Sequence, residues 1–128
     1  MADVLKKIMF VEDDEDVREI ANITLTSVGG FSVTMCASGA EALKKVLEAK
    51  PQLILLDVMM PGMDGPTTLK NLQLMPEVSQ IPVIFITAKV QTREIVSYKE
   101  MGVLDVIAKP FDPMTLSEKV LEIWRRIS

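Results

Sequence analysis

The chain has 128 residues, 48% hydrophobic and 25% charged, with a formal net charge of −4; that is the size and balance of one globular domain with a core of its own, not of a disordered chain. No apolar run approaches the ~20 residues of a membrane span, and the opening "MADVLKKIMF" lacks the apolar stretch and small-residue cleavage site of a signal peptide. A lone Cys36 excludes an internal disulfide and points to a reducing cytoplasm.

Short apolar runs alternate with amphipathic stretches along the whole chain. "KIMFV" (7–11) has no polar interruption, as expected of a strand covered on both faces. Val17, Ile20, Ala21, Thr24 and Val28 follow at helical spacing, and Gly29-Gly30 ends that helix. "FSVTMC" (31–36) alternates, which suits a half-buried edge strand and places Cys36 in or near the core. Ser38 and Glu41 form an S-x-x-E capping box for a helix whose apolar face is Leu43, Val46 and Leu47. "LILL" (53–56) is the third strand, and Asp64 caps a third helix that starts at Gly65-Pro66 and carries Leu69 and Leu72. "PVIFI" (82–86) is the fourth strand; residues 92–101 form a weakly amphipathic helix; "VLDVIA" (103–108) is the fifth strand. Asp112-Pro113 caps the last helix, with Leu116, Val120, Ile123, Trp124 and Ile127 as its buried stripe.

Five β–α units with continuous apolar strands imply an α/β fold, a doubly wound five-stranded parallel sheet with five helices. With "FSVTMC" at an edge, the flavodoxin-like strand order 2-1-3-4-5 follows. The whole of residues 1–128 is expected to be one domain, and a chain that stops with its last helix favours a single-domain protein.

In such a sheet, ligands bind at the carboxyl ends of the strands, and the polar residues gather there. The first strand runs into Glu12-Asp13, the third into Asp57, the fourth into Thr87 and the fifth into Lys109. Taken singly, each has a plain alternative: Asp57 as a turn cap, Thr87 as a strand-terminal residue, Lys109 as a solvated loop charge. Asp14, Glu15 and Asp16 read as the acidic first turn of a helix. Together, four strand ends on one rim argue for a site. Glu12, Asp13 and Asp57 bring three negative charges into a small space, Lys109 returns one, and a divalent cation would balance the rest. All-oxygen ligands suit Mg²⁺, and carboxylates around Mg²⁺ with a lysine and a hydroxyl beside them suit a phosphoryl group. The acids at 12–16 account for the net charge, since without those five the chain carries +1. The chain has no histidine, which removes His-based acid/base catalysis and His-ligated zinc. Arg125 and Arg126 are too few for a nucleic-acid stripe, so no direct nucleic-acid binding is expected.

These pieces, "FVEDDEDVRE" (10–19), "LILLDVMMPGMDG" (53–65), "FITAK" (85–89) and "AKPFD" (108–112), resemble in kind and order the receiver domain of two-component response regulators, the single-domain chemotaxis (CheY-like) type in particular. The resemblance implies Asp57 as phosphoacceptor and Glu12-Asp13 as the acidic metal pair, with Asp13 the direct ligand. It implies the Met59 backbone carbonyl as a further Mg²⁺ ligand, Thr87 as the switch hydroxyl, Lys109 as the invariant lysine type and a cis Lys109-Pro110 bond. The implied partners are a sensor histidine kinase or phosphotransfer protein and an unknown downstream protein target. The chain would then be a signalling phosphoacceptor that catalyses only its own phosphorylation and slow dephosphorylation. A haloacid-dehalogenase-type phosphatase would need an acid at Met59, and an FMN binder a Gly/Ser/Thr-rich loop where the five acids stand. One departure from the family is Val106, where many receivers carry Tyr or Phe; valine has no ring to swing inward.

Overall fold

Unbroken apolar runs become strands here because both of their faces are covered. In the computed structural model, which describes residues 4–127, a parallel sheet has the order β2-β1-β3-β4-β5. Its strands are β1 (Lys7–Val11), β2 (Ser32–Cys36), β3 (Leu53–Asp57), β4 (Val83–Thr87) and β5 (Asp105–Ala108). The helices are α1 (Glu15–Ile23), α2 (Gly39–Ala49), α3 (Gly65–Gln73), α4 (Thr92–Glu100) and α5 (Leu116–Arg125). Successive strand residues point to opposite faces. Met9, Val11, Ile54, Leu56 and Phe85 therefore pack with Ala42 and Val46 of α2, Leu69 and Leu72 of α3 and Tyr98 of α4. Ile8, Phe10, Leu55, Ile84, Ile86 and Ile107 pack with Ala21 of α1 and Leu116, Val120 and Ile123 of α5. Central β3 and β4 are buried along their full length, whereas edge strand β2 is half-buried, as its alternation predicts. None of the described helices is long and apolar enough to cross a membrane.

Several expectations need correction. The first helix does not run unbroken to Gly29: α1 ends at Ile23 and residues Thr24–Val28 form a π-helical turn. The wider turn brings Leu25 into the core and leaves Val28 outside it, 65% exposed, while Ile20, on the regular α1, is 45% exposed. On α2 the buried face is Ala42 and Val46, while Leu47 is exposed. Ser38 Oγ does accept the Glu41 N–H at 3.1 Å, but Glu41 Oε1 reaches the Ala37 N–H at 2.7 Å rather than that of Ser38. α5 starts at Leu116, not after Asp112. Asp112 Oδ1 accepts the Met114 N–H in the turn before it, and Ile127 is exposed. β5 starts at Asp105, two residues later than its apolar run. Cys36 is fully buried, and burial, reinforced by the Glu41 charge, pushes its thiol up to about 11; it is a core residue and not a nucleophile.

Candidate functional site

The strand period of two also assembles the rim. Glu12, Asp57 and Lys109 each stand two residues beyond Phe10, Leu55 and Ile107, which all face α1 and α5. Backbone pairing continues past the strands to hold them, with Glu12 N donating to Cys36 O at 3.0 Å and Lys109 N to Thr87 O at 2.9 Å. The side chains consequently meet across the sheet. Lys109 Nζ donates to Glu12 Oε1 at 2.6 Å and lies 3.5 Å from Asp57 Oδ2. Glu12 is 1% exposed, Asp57 2% and Thr87 1%, whereas Asp13 is exposed. Thr87 has the opposite parity; its hydroxyl accepts the Lys89 N–H at 3.1 Å.

Three acids around one lysine leave a charge imbalance that burial magnifies. Desolvation by burial pushes the Glu12 carboxyl up to about 7, against the opposing hydrogen bonds from Lys109 and the Asp14 N–H. Burial likewise raises Asp57, although the Lys109 charge opposes it. Burial alone would lower Lys109, but its hydrogen bond to Glu12 and the charges of Asp57 and Glu12 outweigh that and raise it. Asp57 Oδ2 is buried without a hydrogen-bond partner among the described residues. A buried carboxylate oxygen in that state is costly unless something cationic addresses it. One ligand atom each from Glu12, Asp13 and Asp57 lies within 4.8 Å of the others. The orphaned oxygen and the hard all-oxygen donor set fit a small divalent cation such as Mg²⁺.

The loops that carry these residues are fixed by their own chemistry. Asp14 Oδ1 caps α1 by accepting from Asp16 N at 2.9 Å and Val17 N at 3.3 Å. Asp64 Oδ1 caps α3 through the Thr67 N–H at 2.9 Å. Both acids are spent on helix starts: Asp64 caps as its position in the sequence suggests, whereas Asp14 is the N-cap and only Glu15 and Asp16 form the acidic first turn. Met59, two residues beyond Asp57, has an exposed side chain. Sequence reasoning missed Arg18, whose Nη1 donates to the Glu12 carbonyl at 2.7 Å and ties α1 to the acid pair. It missed Gly65 as well. A Cβ there would stand 2.6 Å from the Asp57 carbonyl oxygen and 2.8 Å from Val58 Cα, and the Gly65 N–H donates to Val58 O at 2.9 Å. The start of α3 is thus pressed against the backbone of the central acid. Gly65→Ala should cost about 1–3 kcal/mol, as overpacking against backbone does, and should move the Asp57 and Val58 amide signals. A chemical-denaturation midpoint and an NMR amide map check both, and an unchanged midpoint refutes the close approach.

The Lys109-Pro110 peptide is cis, as the family resemblance implies. Residues 8–121 match the family described as "Response regulator receiver domain". The chain is 34% identical over 119 residues to the transcriptional regulatory protein CseB of Streptomyces coelicolor, covering 93% of this chain and 49% of that one. It is 37% identical over 121 residues to the alkaline phosphatase synthesis transcriptional regulatory protein PhoP of Bacillus subtilis, covering 94% and 49%. The chain spans about half the length of these curated relatives. The solved structure of the chemotaxis response regulator CheY4 of Vibrio cholerae is similar with a TM-score of 0.85 at 28% identity, covering 94% of this chain and 99% of that one. With five parallel strands in the order 2-1-3-4-5 and the acids, hydroxyl and lysine at their carboxyl ends, the chain belongs to the receiver domain family of two-component response regulators.

Proposed function

We propose that Asp57 is the phosphoacceptor of a single receiver domain spanning residues 1–128. The donor is a phosphohistidine on a sensor histidine kinase or phosphotransfer protein, and the setting is the cytoplasm. The observation that carries this reading is the buried Asp57 Oδ2, without a hydrogen bond and 3.5 Å from Lys109 Nζ. A buried carboxylate oxygen that accepts no hydrogen bond from the described residues, at the end of a rigid strand, is oriented as a nucleophile. One Asp57 oxygen forms a bond to phosphorus while the phosphorus–nitrogen bond breaks, and the bonding pair leaves with the imidazole. The product is an aspartyl phosphate.

Glu12, Asp13 and Asp57, with the Met59 backbone carbonyl, would hold Mg²⁺, which supplies positive charge beside the transferring oxygens when bound. Lys109 turns its ammonium from Glu12 and Asp57 to a phosphoryl oxygen. Thr87 donates its hydroxyl to another. Asp57 exchanges one negative charge for the roughly −1.5 to −2 of a phosphoryl group, and Thr87 conveys that change to the chain that leads into α4. The face made by α4, β5 and α5 is the proposed output surface for a downstream protein. Asp105 links it, with Oδ1 3.7 Å from Lys99 Nζ and Oδ2 2.6 Å from Arg126 Nη1. Val106 pairs with Phe85 in the β4–β5 register, and the Phe85 ring meets Tyr98 of α4 edge-on at 5.3 Å.

The test is incubation with acetyl phosphate and Mg²⁺, followed by intact-mass measurement. One base-labile phosphoryl group is expected, absent when the metal is chelated and absent in Asp13→Ala although Asp57 remains. Normal phosphorylation of Asp13→Ala would remove the metal assignment; no phosphorylation of the wild type by any donor would remove the reading itself.

A further inference from the structure

The helix that follows the acid pair ends in a π-helical turn, Thr24–Val28, closed by a bond from Gly29 N to Thr24 O at 3.1 Å. Such widened turns are uncommon and cluster where a helix has a task that regular spacing cannot meet. Here the task concerns the segment that carries Lys109. Thr24 is buried, and its hydroxyl donates to the Pro113 carbonyl, 89 residues away in sequence. Its own carbonyl accepts a second bond, from Ser117 Oγ at 3.1 Å. Thr26 shows the ordinary alternative, a hydroxyl spent locally on the Asn22 carbonyl one turn back at 2.6 Å.

The segment from Lys109 to Ser117 is held at three places. Lys109 N is bonded to Thr87 O at 2.9 Å at its start. The Phe111 ring rests edge-on against Phe10, 6.4 Å between centroids, in its middle. At its far end the Thr24 hydroxyl donates to Pro113 O and the Thr24 carbonyl accepts from Ser117 Oγ, while Val17 and Ile20 of α1 line one pocket with Pro110, Phe111 and Pro113. We infer that Thr24 is a positioning residue for Lys109, fixing the segment from which the ammonium reaches Asp57. This rests on the reading of Lys109 as the group that addresses the phosphoryl oxygens. A side chain that must reach a reacting centre is sensitive to displacements of an ångström or less in the backbone behind it.

Thr24→Val keeps the branched shape and deletes the hydroxyl. With acetyl phosphate as donor, saturating Mg²⁺ and a temperature at which circular dichroism shows every variant folded, its phosphorylation rate is expected to fall roughly tenfold. Mg²⁺ affinity, set by Glu12, Asp13 and Asp57, should stay at the wild-type value, and Thr24→Ser should recover most of the rate. Ser117→Ala, which leaves the Thr24 hydroxyl bond to Pro113 and removes the bond from Ser117 Oγ to the Thr24 carbonyl, should lower the rate less. The ¹⁵N signal of Lys109 Nζ should shift in Thr24→Val, a readout that needs no phosphorylation. It therefore separates failure of this inference from failure of the Asp57 assignment. A Thr24→Val protein with lowered stability but wild-type rate and an unmoved Lys109 signal would overturn the inference, as would equal losses in Thr24→Ser and Thr24→Val.

Discussion

Asp57→Asn is expected to take up no phosphoryl group under conditions that fully modify the wild type, and to be the more stable protein in Mg²⁺-free buffer. Both results have the same origin. The wild-type carboxylate is buried with one oxygen unbonded, beside Glu12 and Asp13. Burial holds its carboxyl above the ordinary range in the folded state. A raised folded-state pKa means that the native protein binds a proton more tightly than the unfolded chain. The ionised group therefore costs stability at neutral pH, and that cost is relieved as pH falls through the folded value. Asparagine removes the charge while keeping the shape, and Lys109 retains Glu12 at 2.6 Å. The gain should be about 1–3 kcal/mol, the excess cost of burying a charged rather than a neutral group beside like charges. Mg²⁺ should raise the melting temperature of the wild type and do so far less in Asp57→Asn, because a ligand stabilises only through the state that binds it. Thermal melts with and without Mg²⁺, read beside intact masses, check this. A destabilised Asp57→Asn in metal-free buffer would show that Asp57 is better paired than its geometry implies.

Lys109→Met should separate three properties that a simple loss of charge would join. The methionine stem fills much the same space, so the chief change is removal of the cation bonded to Glu12 and 3.5 Å from Asp57. Stability in metal-free buffer should drop by about 2–3 kcal/mol. That is less than the full cost of breaking a buried pair, because the lysine side chain is 27% exposed. Mg²⁺ affinity should rise severalfold, because the competing positive charge is gone and the carboxylates remain. Phosphorylation should fall by at least roughly tenfold even at saturating Mg²⁺, because nothing neutralises the transferring oxygens from that side. Calorimetric titration with Mg²⁺, denaturation and phosphorylation kinetics give the three numbers. Weaker Mg²⁺ binding in Lys109→Met would place Lys109 among the groups that organise the metal ligands rather than opposite the phosphoryl group.

Strand positions, strand order and the rim residues were legible in the sequence because each rests on a short-range signal. A parallel strand covered on both faces must be a continuous apolar run, so "KIMFV", "LILL" and "VIFI" mark themselves. The polar residue at the end of each run then marks the carboxyl edge, and the Asp64 cap is a local bond to an amide three residues on. Tertiary packing decided what depends on partners far away in sequence. Whether Leu47 or Ala42 is buried on α2 depends on which side of that helix faces the sheet. The Thr24 hydroxyl in the π-helical turn finds its acceptor 89 residues away, and the role of Arg18 depends on where the Glu12 carbonyl points. Gly65 is required by an approach of 2.6 Å to the Asp57 backbone, which no local pattern records. The sequence alone determined which residues stand at the rim, because strand length and period are local. Only the tertiary structure decided that Lys109 pairs more closely with Glu12 than with Asp57 and that Asp57 Oδ2 is left unbonded. Distances between strand ends are set by how the helices on both faces hold the sheet.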